Sequence, residues 1–215
     1  MKNVNWNLWF YAPFCFALAI GLFVLFTVEK GDDVLFLNSL HTPFLDNIFY
    51  YGTILGNGWL YIVVAVALLW KNYRTAMIAF VCFSLTGILA QILKKLVFDE
   101  MLRPGALLAH DSIHFVEGVK ILRHHSFPSG HTATAFSLFC LLSQIVKPRW
   151  MGLMFVMMAL IGGISRIYLV QHFFIDVYFG AILGVTVTSL VWLYFSYKSV
   201  SPFLNEKSIS SVLKS

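Results

Sequence analysis

Residues 150–197 read WMGLMFVMMALIGGISRIYLVQHFFIDVYFGAILGVTVTSLVWLYFSY. Two apolar runs, Trp150 to Leu169 and Phe173 to Tyr197, are separated by only three residues. Each reaches the roughly 17–25 residues that a helix needs to cross about 30 Å of hydrocarbon. The polar groups Ser165, Arg166, His172 and Asp176 gather around the joint. An ionisable side chain beside lipid is costly, so such a cluster marks a functional site rather than a solvated face.

Working outward, Trp9 to Val28, Thr75 to Leu93 and Gly130 to Val146 are further apolar stretches of spanning character. Phe49 to Trp70 is weaker, because Gly52, Gly56 and Gly58 interrupt it, but glycines are tolerated in membrane helices. With 59% hydrophobic and 12% charged residues in a chain of 215, the composition argues against a water-soluble globule. The expected fold is an all-α membrane protein, a bundle of six transmembrane helices forming one domain over residues 1–197. A polar cytoplasmic tail follows over 198–215, and neither a repeat nor a linker divides the chain.

The first apolar run follows Lys2 and contains Ala17-Leu18-Ala19, yet it continues through Val28 and outruns a signal-peptide core, so it reads as a retained anchor. Cys15, Cys82 and Cys140 each fall in an apolar stretch, and their odd number argues against a disulfide framework. With six crossings both termini share one side. Termini inside, the inner segments carry Lys2, Lys71, Arg74, Lys147, Arg149, Lys198, Lys207 and Lys214 against the single acid Glu206. Short loops rich in Lys and Arg stay cytoplasmic, which puts the chain in the cell's inner membrane with the polar cluster on the outer, periplasmic face.

Two outer segments are long. Glu29 to Ile48 holds Leu35, Phe36, Leu40, Phe44 and Leu45 and reads as an amphipathic, interfacial segment after the first helix. Lys94 to Phe127 reads as a lid or access surface, with a small hairpin expected around Glu117-Gly118. Were that loop helical instead, His110, His114 and Glu117 would share a face and offer a metal site.

The chemistry lies in three clusters. His172 and Asp176, four apart, fall on one helical face, where a carboxylate can take the imidazole N–H and leave the other nitrogen as a nucleophile. Arg166 adds a planar fork matched to phosphate oxygens. The plainer reading is a structural polar pair between helices. Pro128-Ser129-Gly130-His131 opens an apolar run, so Ser129 caps a helix whose N-terminus favours an anion, Gly130 admits close approach, and His131 can act as general acid. The plainer reading there is a helix cap and an interfacial histidine. Lys94-Lys95 and Arg103-Pro104 supply cations for a transferring phosphoryl group; Lys94 reads as a snorkelling anchor and Lys95 with Arg103 as the binding pair.

Together these clusters resemble the three-part signature of the type 2 phosphatidic acid phosphatase superfamily, which also includes the vanadium haloperoxidases, over roughly residues 75–180. Pro-Ser-Gly-His and Ser-Arg-x5-His-x3-Asp match in full. The first motif, Lys-x6-Arg-Pro, departs from the pattern, since seven residues separate Lys95 from Arg103. The resemblance implies that His172 is the nucleophile forming a phosphohistidine, Asp176 its partner and His131 the acid. It further implies that Lys95, Arg103, Ser129, Gly130 and Arg166 hold phosphate oxygens and that no metal or other cofactor takes part.

The expected function is hydrolysis of a terminal phosphate from a lipid phosphate or isoprenyl diphosphate at the outer leaflet. Phosphatidate, phosphatidylglycerol phosphate, undecaprenyl diphosphate and lipid A phosphates all fit. The expected partners are that lipid and the bilayer, not nucleic acid. The competing readings are a lipid phosphotransferase, a vanadate-dependent haloperoxidase-like enzyme and a non-enzymatic lipid binder or transporter.

Overall fold

The computed structural model describes residues 4–198, so Lys2 and all of the expected tail beyond Lys198 lie outside the described residues. Helix α1 spans Leu8–Thr27, α2 Asp32–Ser39, α3 Pro43–Gly52, α4 Gly58–Lys71 and α5 Tyr73–Ile92. A short α6, Pro104–Leu107, precedes α7 (Gly130–Ile145), α8 (Met151–Tyr168) and α9 (Phe174–Tyr197). Among the described residues there is no strand. The expected hairpin is therefore replaced by a turn at Glu117-Gly118, where Gly118 takes a φ of 80° that suits glycine.

Helix starts follow from capping chemistry. The side-chain oxygens of Asn7, Asn57 and Asn72 accept from the N–H groups of Trp9 (3.1 Å), Trp59 (3.0 Å) and Arg74 (2.8 Å). Thr42 and Ser129 cap α3 and α7 through Leu45 (3.2 Å) and Thr132 (3.4 Å). Each side chain satisfies a donor that the first helical turn leaves unpaired.

Four helices are long and apolar enough to cross a membrane: α1, α5 with its extension to Val97, α8 and α9. The pair Pro43–Gly56 and Gly58–Lys71 adds a fifth if counted as one span bent by 52°. This corrects the expectation of a continuous helix over Phe49–Trp70. The glycines there do not ride inside a helix; α3 ends at Gly52, a 3-10 turn covers Thr53–Gly56, and α4 restarts at Gly58. Helix α7 has 16 residues, short of the length a lone span requires. It lies at the centre, packed by α5, α8 and α9, with Ala135 through Leu141 all buried. Helix α1 is the opposite case: Phe16, Phe23 and Phe26 are 69%, 68% and 82% exposed, as expected of a face that lipid covers.

The helices alternate in direction, which gives the bundle two distinct ends. At one, Asn7 of the α1 start donates to the carbonyls of Ser143 (2.8 Å) and Arg149 (3.0 Å), tying together the α1 start, the α7 end and the α7–α8 connection. At the other, the Ser129 N–H at the start of α7 donates to the Asp176 carbonyl in the first turn of α9 (2.9 Å). Gly180 and Gly184 bring α7 and α9 that close. A Cβ on Gly180 would fall 2.6 Å from the Ser129 carbonyl oxygen, and one on Gly184 would collide with that of Ala133. This is the small-residue contact that membrane helices use in place of a hydrophobic driving force. Helices α2 and α3 pack on α8 at this second end, where Phe36, Leu40 and Phe44 are exposed.

Candidate active site

Helix α8 stops at Tyr168, and the chain turns back on itself so that the N–H groups of Gln171 (2.9 Å) and His172 (3.1 Å) both reach the Arg166 carbonyl. His172 is thereby held in the five-residue joint before α9, 1% exposed. Its Nδ1 faces Asp176 Oδ2 at 3.3 Å. That carboxylate oxygen also accepts from the Phe173 N–H (3.0 Å) and from the Ser126 hydroxyl, so its position is set from three sides.

Arg103 approaches His172 from the opposite edge. The connection after α5 closes on itself, with Arg103 N–H donating to the Arg123 carbonyl and Ser126 N–H to that of Met101, both at 2.9 Å. The guanidinium then donates to the carbonyls of His124 (2.9 Å) and Gln171 (2.9 Å) and to His172 Nε2 (3.2 Å). A guanidinium can only donate, so Nε2 carries the lone pair and Nδ1 the proton directed at Asp176. Burial, followed by the charges of Arg103, Lys94 and Arg166, holds the His172 imidazole well below its ordinary pKa. The ring is neutral, with its basic nitrogen among cations.

Arg166, 7% exposed in the last turn of α8, donates to the Thr53 hydroxyl (2.5 Å) and to Gln171 Oε1 (3.4 Å). Its Nε is buried with no partner among the described residues. His131 sits half-buried in the first turn of α7, withdrawn from solvent and subject to the charges of Arg166, Lys94 and Arg103. Ser129 is fully buried, and its oxygen accepts from the Thr132 N–H and hydroxyl, the latter at 2.9 Å. Open space surrounds Gly130 where a side chain would stand. His172, Asp176, Arg103, Arg166, His131, Ser129 and Gly130 are thus drawn to one end of the bundle.

Lys95 is not brought in; it is exposed, and Lys94 is the buried lysine, whose charge interacts with Arg103, Asp176 and Arg166. The geometry therefore reverses the choice made from spacing. Cys82, Thr86 and Ala90 form the buried stripe of α5 at intervals of four, and Lys94 is its next member. The helix then widens into a π turn, Leu93–Val97, with Phe98 N–H bonded to the Leu93 carbonyl (2.8 Å), which takes up part of the extra length before Arg103. That small-residue stripe was the available signal for Lys94. Ser126, Gln171 and Thr53 also belong to the site; Ser126 lies just ahead of Pro128 and Gln171 inside the Ser-Arg-x5-His stretch, whereas nothing in the sequence points to Thr53.

Among the described residues no group of three or more His, Cys, Asp or Glu could hold a metal ion. The alternative of a metal held by His110, His114 and Glu117 fails because the loop is a single 3-10 turn at His110–Ser112 rather than a helix through Glu117. His114 instead bonds Asp46 (2.9 Å) and stacks on His41 with ring centroids 4.2 Å apart. Three cations around a neutral, oriented imidazole nitrogen form a receptor for a tetrahedral oxyanion.

Residues 75–199 match the PAP2 superfamily. The chain is 29% identical over 163 residues to a lipid A 4'-phosphatase of Bacteroides thetaiotaomicron, a match covering 70% of each protein. Its fold is similar to the crystal structure of Aquifex aeolicus LpxE, with a TM-score of 0.66 and 28% identity over 75% of this chain and 93% of that one. The crystal structure of a transmembrane PAP2-type phosphatidylglycerolphosphate phosphatase from Bacillus subtilis has a TM-score of 0.63 over 90% of this chain and all of that one; at 21% identity it bears on the fold alone.

Proposed function

Since the chain belongs to the PAP2 superfamily and is a multi-pass membrane phosphatase, we propose that it removes the terminal phosphate of a lipid phosphate through a phosphohistidine on His172. The observation that carries this reading is the presentation of His172 Nε2, proton-free and held by Arg103, among Arg103, Arg166 and Lys94. In the first half-reaction the Nε2 lone pair attacks phosphorus, the bond to the lipid oxygen breaks, and His131, which takes up a proton as the phosphate brings its negative charge among the cations, gives that proton to the leaving oxygen. Arg103 turns its hydrogen bond from Nε2 to a phosphoryl oxygen as the charge develops. Arg166 Nε and the Lys94 ammonium take further oxygens, and Ser129 and Gly130 present the first turn of α7. In the second half-reaction neutral His131 accepts a proton from water, the water oxygen attacks phosphorus, and the P–N bond returns its electron pair to His172. Phosphate leaves, and both histidines regain their starting states. Asp176 keeps Nδ1–H in place throughout.

A lipid substrate is favoured by a cavity of about 400 Å³ that starts at Arg166 and is walled by Tyr50, Tyr51, Ile54, Lys120 and Leu122. It suits a bulky headgroup whose phosphate lies against the cations. The lipid A 4'-phosphatase relative puts a lipid A phosphate first among substrates, ahead of phosphatidylglycerol phosphate, phosphatidate and undecaprenyl diphosphate. In this reading residues 1–197 form one domain of six crossings, α1, α3–α4, α5, α7, α8 and α9. The site faces the periplasm from the inner membrane, in keeping with the Lys and Arg bias of the opposite end.

The test is phosphate release from each of the four lipids by detergent-purified protein in the presence of a chelator, with acid-labile phosphate on His172 trapped by rapid quench. His172→Ala is expected to abolish both signals. Release that persists unchanged in that variant overturns the mechanism, and a preference for another of the four lipids overturns the substrate assignment.

A further inference from the structure

The end of the bundle remote from His172 carries Lys71, Arg74, Lys147, Arg149 and Lys198, whereas every Asp and Glu among the described residues lies toward the other end. Two of these cations line a cavity of about 400 Å³ between the start of α5, the end of α9 and the α7–α8 connection: Arg74 and Arg149, together with Asn5, Ile78, Trp192 and Phe195. Arg149 is tied down, with Nη2 donating to the Asn5 carbonyl (3.0 Å) and its own carbonyl accepting from the Asn7 amide (3.0 Å). Its Nη1 is nevertheless buried with no hydrogen-bond partner among the described residues. Arg74 is positioned from the other wall by the Phe195 carbonyl. The carbonyls that fix these two guanidiniums carry no compensating charge, so an anion in the cavity would supply it.

The depth of the cavity is marked independently. Trp9, Trp70, Trp150, Tyr194 and Tyr197 are all exposed by about half around this same end, the arrangement in which aromatic side chains sit at headgroup level. One side of the cavity is apolar, formed by Ile78, Trp192 and Phe195, and the other holds the guanidiniums. A free anion would use only the second. Basic pockets between membrane helices at this level are receptors for phosphate headgroups.

We propose that this cavity binds the phosphate headgroup of an anionic phospholipid, gripped by Arg74 and Arg149 at the end of the bundle opposite the catalytic cluster. The site is separate from the phosphatase reaction. It holds a lipid of the far leaflet and joins α5, α9 and the α7–α8 connection through that lipid.

Native mass spectrometry of the full chain, stripped in detergent and then offered phosphatidylglycerol, phosphatidylcholine or inorganic phosphate, reads this directly. The wild type is expected to retain one phosphatidylglycerol with a preference over phosphatidylcholine of about tenfold, and R74A/R149A to lose that preference. Phosphate release from a short-chain substrate is expected to be unchanged in the variant, which also reports that it folds. Arg149→Gln, which can keep the Asn5 contact but not the charge, is expected to lose part of the preference. Equal retention of the two lipids by the wild type, or the same preference in R74A/R149A, overturns the proposal. Binding of inorganic phosphate that displaces phosphatidylglycerol at millimolar concentration reassigns the cavity to a free anion. A preference that changes in Glu206→Gln makes the chain's own carboxylate the occupant and overturns the lipid assignment.

Discussion

On the Asp176 side of His172 most partners are near in sequence: Arg166 ends α8, Gln171 precedes the histidine, and Asp176 follows four residues on, its carboxylate fixed by the Phe173 N–H at 3.0 Å and, from farther along the chain, by the Ser126 hydroxyl. On the Arg103 side the groups come from afar. Arg103 is delivered by a loop closed through Arg123 and Met101, and Lys94 by a widened helix turn. One side is rigid because a helix junction leaves little freedom; the other is rigid only while its loop stays closed. The first side orients the nucleophile, and the second supplies charge to the phosphate.

Breaking the near side is expected to cost most. In Asp176→Asn the Nδ1 proton loses its acceptor, and the tautomer that leaves Nε2 free is no longer preferred. A fall in kcat of about 10²- to 10⁴-fold is expected, comparable to the loss of an orienting carboxylate elsewhere. Activity within about threefold of wild type would show that the pair at 3.3 Å is structural only. On the far side, Lys94→Ala removes one of three cations and is expected to lower kcat/KM by about 10²-fold. Arginine at position 94 is expected to restore part of it, whereas recovery by Lys94→Met would point to packing rather than charge.

The Gly180 contact links the two kinds of rigidity, because it sets how closely the Ser129–His131 turn approaches α9. A methyl there would stand 2.6 Å from the Ser129 carbonyl oxygen, so Gly180→Ala must push α7 and α9 apart at the site. Displacements of this order lower rates by roughly 10- to 100-fold with little change in substrate binding. The check is a kcat that falls while KM holds in a variant that still purifies as a monodisperse protein; an unaffected kcat would mean that the helix ends move independently of this crossing.

The same division explains what was legible. Ser165-Arg166, His172 and Asp176 could be read because they crowd one short joint between two apolar runs, although His172 stands in the joint itself and not on a helix shared with Asp176, and Pro128-Ser129-Gly130-His131 because capping chemistry announces a helix start. Lys94 could not be read from its distance to Arg103, since a π turn and an irregular loop intervene; the stripe Cys82, Thr86, Ala90 located it instead. The apolar runs gave the helices and their order. They did not reveal that Gly52, Gly56 and Gly58 break one span into α3 and α4, nor that α7 is short, because packing on all sides replaces what lipid would require of its length.

Protonation offers a smaller effect that again separates the two sides. His172 is held neutral in the folded chain, so the unfolded chain binds a proton there below about pH 6.5 that the folded chain refuses. Stability is therefore full above that pH and declines as the pH falls below it, by up to about 1.4 kcal/mol per unit. His172→Gln lacks this penalty, so its stability relative to wild type is expected to rise between pH 6.5 and 5.5, as read by thermal unfolding in detergent. Parallel pH profiles for the two proteins would mean that the imidazole is protonated in the folded state, which contradicts its role as acceptor from Arg103 at 3.2 Å.

The smallest expected effect is at Lys95, and it decides how the far side should be read. Lys95 is one residue from Lys94, and its spacing to Arg103 is nearer to the six-residue pattern, yet it is exposed on the face that a helix turns about 100° away. An exposed ammonium at the end of a membrane helix anchors rather than grips. Lys95→Ala is therefore expected to leave kcat/KM within about twofold of wild type, since an exposed charge contributes little. If Lys95→Ala lowers activity as far as Lys94→Ala does, the π turn must rearrange when phosphate arrives, and the far side would be assembled by the substrate instead of standing ready for it.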